Sequence, residues 1–185
     1  MRYVHVQLRL VAFLTMMIFC TLPITASAES AWKISNDAQK ALQALYAKSA
    51  SAKALGERAI GILVFPAITK GGLVVGGQYG EGALIKSGKV AGYYSTVSIS
   101  YGRQYGIQKY GYAMFFMSNA ALDHLDRSDG WELGSGPTVV VGDVGASGGI
   151  STTTAKSDVY AFYFGQKGVM AGLGLQGTKI TKIYK

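Results

Sequence analysis

The sequence predicts an α+β domain: a glycine-rich, strongly curved, antiparallel and barrel-like sheet, with helices at its amino-terminal end and one short internal helix. Three observations carry this reading. Residues 30–59 are rich in Ala, Lys, Gln and Leu, whereas all 25 glycines fall between positions 56 and 177. From Ile60 onward, β-branched and aromatic runs alternate with glycine-containing breaks. Glycines also lie inside strand text, as at Gly71-Gly72 and Gly76-Gly77; their entropic cost is tolerated where strands bend, bulge or admit a close neighbour.

The chain has 185 residues, 49% of them hydrophobic and 15% charged, with a mean hydropathy of +0.22. These values suit one folded domain and exclude a disordered tail. The formal charge of +8 favours an anionic partner such as lipid headgroups, nucleic acid or an acidic polymer.

Residues 1–28 read as a secretory signal peptide. Arg2 and Arg9 flank a polar start, Leu10 to Ile24 is an apolar run too short for a comfortable span, and Ala26-Ser27-Ala28 offers small residues at the cleavage point. Cleavage after Ala28 is expected, with an uncleaved anchor as the alternative. Cys20, the one cysteine, follows Phe19 within the apolar run, which does not suit lipidation. Removal of the leader takes away two positive charges and the thiol, and implies an exported, periplasmic or envelope-associated product made of residues 29–185.

Next, Ile34, Ala38, Ala41, Leu42 and Leu45 recur at three- and four-residue steps and predict an amphipathic helix over Ser30 to Lys48, with Lys33 and Lys40 on its opposite side. Ser49 or Ser51 can cap a second short helix running to Ala59. Strands are expected at Ile60–Phe65, Leu73–Tyr79, Ala83–Lys86, Val90–Tyr101, Tyr110–Phe116, Thr138–Val141, Asp158–Phe164, Val169–Leu175 and Lys179–Tyr184. Lys86-Ser87-Gly88-Lys89 reads as a hairpin turn. Ser118 caps a helix from Asn119 to Arg127 whose apolar face is Leu122 and Leu125.

Catalytic patterns are weak. His124 is the sole histidine after the leader and lacks convergent ligands for zinc. Gly145-Ala146-Ser147-Gly148 breaks the spacing of a nucleophile elbow. The run Gly172 to Gly177 matches a dinucleotide fingerprint in letters, but strand text follows it where a helix is required. Asp126 to Glu132 misses the oxygen spacing of a calcium loop. No enzyme, metal or cofactor is therefore expected.

What remains is Tyr79, Tyr93, Tyr94, Tyr101, Tyr105, Tyr110 and Tyr112 interleaved with Lys70, Lys86, Lys89, Arg103 and Lys109. Rings with a polar tip and snorkelling cations suit a membrane interface. Ordinary sheet tyrosines with solvated lysines are the alternative. Single-stranded nucleic acid would use the same chemistry, and export argues against it.

Gly61-Ile62-Leu63-Val64-Phe65-Pro66-Ala67-Ile68-Thr69-Lys70-Gly71-Gly72, then Val75 to Leu84 and Gly92-Tyr93-Tyr94-Ser95, resemble the SYLF domain family. Ala113 to Met117, Gly130 to Gly134, Gly165 to Gly172 and Gln176 to Ile180 continue the family order, so the resemblance spans about residues 35–184. It implies a lipid-binding module: eukaryotic relatives bind phosphoinositides and some act with actin through additional partner domains, while bacterial relatives are exported and envelope-associated. Arg103 stands where the family usually has a smaller or apolar residue.

The expectation is thus peripheral, non-enzymatic binding of anionic phospholipid, with phosphoinositide-like headgroup recognition, in a cell envelope. Candidate contacts are Lys33, Lys40, Lys70, Lys86, Lys89, Arg103, Lys109, Tyr101 and Tyr105. A protein-interaction or structural envelope module, with a partner in the envelope, and a small outer-membrane barrel are the alternatives.

Overall fold

A computed structural model describes residues 29–72, 75–101, 106–127, 130–133, 135–143, 157–168 and 177–185. The leader and the strand expected at Val169–Leu175 lie outside these residues.

Helix α1 runs over Ala31–Lys48, started by Ser30, whose side chain accepts from the Lys33 backbone N–H at 3.2 Å. Ile34, Ala38, Leu42 and Leu45 form its buried stripe, as the sequence spacing predicts. Ser49 accepts from the Ala52 N–H at 3.1 Å and opens α2, Ala50–Gly56. This helix ends three residues before the expected Ala59, and Gly61 begins the first strand.

Among the described residues, eight strands form one curled mixed sheet, a half-barrel, in the order β5-β8-β3-β2-β1-β4-β7-β6. They are β1 (Gly61–Gly72), β2 (Val75–Lys86), β3 (Lys89–Tyr101), β4 (Gly106–Phe116), β5 (Trp131–Glu132), β6 (Val139–Asp143), β7 (Val159–Gly168) and β8 (Thr178–Ile183), with α3 (Asn119–Arg127) between β4 and β5. Every pairing is antiparallel except β6 with β7, which is parallel and corrects the purely antiparallel expectation. The hairpin at Ser87-Gly88 has both residues at positive φ, +49° and +75°, as a two-residue turn matching strand twist requires.

Strand lengths differ from expectation for an identifiable reason. Pro66 suggests a strand end at Phe65, but the register of β1 shifts on both sides around Phe65 to Ala67. A bulge absorbs the missing N–H, and the strand continues to Gly72. Opposite the bulge, Gly82 has no Cβ where one would strike the Val64 carbonyl oxygen and the Phe65 ring. Glycine there keeps β2 a single strand where the sequence suggests two.

The bulge leaves Phe65 and Ile68 on one face of the sheet. That face carries Leu63, Tyr112, Met114 and Phe116 against Leu122 and Leu125 of α3 and Trp131 of β5. The other carries Val64, Ala83, Ala113, Phe115 and Phe162 against α1 and α2. Helices thus pack on both faces of the described sheet.

Candidate functional site

Side chains alternate across a strand, so stepping by twos from Ala83 and Ala113 reaches residues that share the α1 face but lie beyond the helix. Register then aligns them. Lys167, Lys109, Thr69, Tyr79, Val97, Lys179 and Glu132 are successive partners across β7, β4, β1, β2, β3, β8 and β5. One row further from the helix, Ile107, Gly71, Gly77 and Ile99 are successive partners across β4, β1, β2 and β3. Ile99 and Ile107 are 66% and 67% exposed, and Tyr79 is half exposed.

Between this surface and α1 lies a cleft of about 540 Å³, lined among others by Lys33, Asp37, Thr69, Tyr79, Glu81 and Lys109. Its charges are largely paired. Lys33 Nζ reaches Asp37 Oδ2 at 2.7 Å and Glu29 Oε1 at 2.8 Å, and the hydrogen bond to Asp37, then that to Glu29, holds its ammonium above the ordinary lysine range. Glu81 Oε1 accepts from Tyr79 Oη at 2.7 Å, and its Oε2 accepts from Lys185 Nζ at 2.9 Å. Burial alone would raise the Glu81 carboxyl, but the bonds from Lys185 and Tyr79 outweigh it and the net shift is downward. The Tyr79 phenol is pushed up to about 12, first by burial and then by that bond to Glu81.

The lysines of the row, of which Lys109 edges the cleft, are different. Lys109, Lys167 and Lys179 are exposed and have no ion pair among the described residues, and Lys109 stands directly opposite Lys167. Like charges placed directly opposite across two strands destabilise the pair. An anion lying between them removes that cost.

The residues expected from the sequence to contact lipid do not form one cluster. Lys33, a candidate headgroup contact, is paired with two carboxylates, Glu29 and Asp37. Lys86 is on the α3 face, 3.6 Å from Asp126, a carboxylate also met by Lys182 at 3.4 Å. Lys70 follows Ile68 toward that face, Lys40 is exposed on α1, and Lys89 is exposed at the hairpin. Lys109 alone of the named lysines joins the row. Tyr101 pairs with Val75 at the end of β3; its side chain, Arg103 and Tyr105 lie outside the described residues.

The wider tyrosine constellation divides as well. Tyr94, Tyr110 and Tyr112 are core residues rather than surface rings, with hydroxyls donating to Asp126 Oδ1 at 2.6 Å, Gln78 Oε1 at 2.6 Å and Thr96 Oγ1 at 3.0 Å. Burial pushes the Tyr110 phenol up to about 12. Tyr93 shares a 2.9 Å hydrogen bond with Ser35 of α1. Sequence reasoning missed Lys167, Lys179, Ile99 and Ile107. Alternation in Val90 to Tyr101 could have placed Val97 and Ile99 on one face, but only register brings the lysines of β7 and β8 beside them.

Residues 97–184 match the family model Ysc84, described as Las17-binding protein actin regulator. Over this stretch the chain is similar to the SYLF family. No curated protein matches the chain. The matched stretch holds the last five residues of β3 and the whole of β4 to β8, and therefore Val97, Ile99, Ile107, Lys109, Lys167 and Lys179. Thr69, Gly71, Gly77 and Tyr79 precede it. None of the described helices is long and apolar enough to cross a membrane.

Proposed function

We propose that this chain is a non-enzymatic, peripheral binder of anionic phospholipid that acts outside the cytosol after its leader is cleaved at Ala28, with headgroup phosphates lying along Lys109, Lys167 and Lys179. The observation that carries this reading is the exposed, like-charged pair Lys109–Lys167, which has an exposed Tyr79 ring two strands away on the same face. Each cation near an anionic leaflet contributes about 1 kcal/mol and is screened by salt, so the three act together. Headgroup recognition of the phosphoinositide kind belongs to the same proposal.

Purified protein is expected to co-sediment with anionic vesicles and not with zwitterionic ones at low ionic strength. Lys109→Ala with Lys167→Ala should weaken capture by about 2 kcal/mol, roughly thirty-fold. Lys86→Ala, on the opposite face, should leave it unchanged. Equal recovery with both vesicle types would end the electrostatic reading. The family's description, with its binding protein and actin regulator, favours a protein-interaction module as the second reading. One stoichiometric protein captured from envelope extract, with no vesicle binding, would establish it instead.

A further inference from the structure

We infer that the row Ile107–Gly71–Gly77–Ile99 is the part of the chain that enters the bilayer, leaving Lys109, Lys167, Lys179 and Tyr79 at the depth of the phosphates. The inference rests on the phospholipid binding proposed above and assigns its orientation and its apolar contact.

Clustering is the first argument. Eight large apolar side chains are exposed among the described residues, and four of them, Tyr79, Val97, Ile99 and Ile107, fall in two adjacent rows on one face. Scattered single exposures need no explanation, whereas an apolar patch rimmed by polar residues marks a contact surface.

The second argument comes from the two glycines between the isoleucines. Neither has a positive φ. A Cβ on Gly71 would meet nothing closer than 3.8 Å, and one on Gly77 nothing closer than 3.9 Å. Backbone conformation and packing therefore do not call for glycine here, and a β-branched residue would suit the strands better. What glycine supplies is a bare floor. Ile107 and Ile99 are three strand spacings apart, about 14 Å, with backbone alone between them. Glycerol and the first methylenes of lipid chains can lie on such a strip without displacing a side chain.

Charge selects the occupant. Successive residues on one face of a strand are about 7 Å apart, so the lysine row stands about 7 Å behind the isoleucine row. Apolar tips first, then cations and a phenol ring, is the order met on passing outward from the acyl boundary to the phosphate layer. Three lysines against Glu132 in that row give the rim the sign that an anionic leaflet requires.

The test uses the full chain and vesicles of phosphatidylcholine with or without phosphatidylglycerol. Ile99→Ser with Ile107→Ser should reduce capture by the anionic vesicles at least tenfold while leaving the melting temperature unchanged, because both side chains are exposed. A bimane label on Ile107→Cys, in a Cys20→Ser background, should be quenched by lipids brominated on the acyl chain; the same label on Val141→Cys, exposed on β6, should not. If wild-type protein binds the anionic vesicles but the serine pair binds equally well and the label at 107 is not quenched, the insertion fails and lipid binding stands. If the wild type binds no vesicle, both fall. If the serine pair turns a dimer into a monomer without changing vesicle capture, the face belongs to a second copy of the chain and the insertion is wrong.

Discussion

Tyr79, Glu81 and Lys185 form a chain of hydrogen bonds at the lip of the cleft, and the acid-base balance of that chain sets how the fold responds to pH. The Glu81 and Lys185 side chains are 7% and 11% exposed, so their pairing is shielded from solvent. Glu81 and Asp126 both have carboxyl pKa values held below the ordinary range; for Asp126, burial opposes the shift and the bond from Tyr94, with Lys182 and Lys86, overcomes it. A carboxylate depressed in the folded state binds fewer protons there than in the unfolded chain. Its stabilisation is complete above the unfolded value and is lost as pH falls through the folded one. Melting temperature should accordingly drop on acidification below about pH 4.5. Glu81→Gln should flatten that acid limb and cost about 3 kcal/mol at neutral pH by stranding Lys185. Two core tyrosines give a contrasting pair. Tyr112→Phe breaks the bond to Thr96 and should cost about 1 kcal/mol in urea unfolding. The buried Tyr163 hydroxyl finds no partner among the described residues, so Tyr163→Phe should be neutral or stabilising.

At the scale of elements, the helices and turns were legible because their signals are local. Ser30, Ser49 and Ser118 each cap the helix that follows, the last accepting from Ala121 N–H at 3.2 Å. Ser30→Ala should therefore destabilise α1 by about 1 kcal/mol, measured as a lower urea midpoint with unchanged slope. Long-range features were not legible. Trp131-Glu132 is too short to show as a strand in text and exists because it pairs with Ile180 and Lys179 of β8. The parallel alignment of β6 with β7 depends on a crossover that no period encodes. Pro66 lies in a bulge rather than at a strand end, and a bulge shows only in the register of the neighbouring strands. The site was legible in part for the same reason: Lys109 could be named from composition around it, but its neighbour Lys167 lies 58 positions away and is brought opposite by register alone. Tyr94, Tyr110 and Tyr112 follow the alternative reading of ordinary sheet tyrosines, since alternation alone does not say which face is buried.

Considered whole, the α1 face grades its charges outward from the helix. Acids cluster near α1, at Glu29, Asp37 and Glu81, where Lys33 and Lys185 answer them. Lys109, Lys167 and Lys179, which have no ion pair among the described residues, stand on the outer row with Glu132. Vesicle binding by wild-type protein should weaken steeply as ionic strength rises, whereas the melting temperature should change little, since the core pairs are shielded. One contact also ties distant parts of the described chain together. Lys185 Nζ donates to the Glu29 carbonyl oxygen at 2.9 Å while gripping Glu81, so positions 29 and 185 lie within one side chain's reach of each other. A circular permutant that joins them through a short Gly-Ser bridge and opens instead at the Ser87-Gly88 turn should keep the native circular dichroism spectrum, and a bulky tag fused after Lys185 should crowd the rim of the cleft.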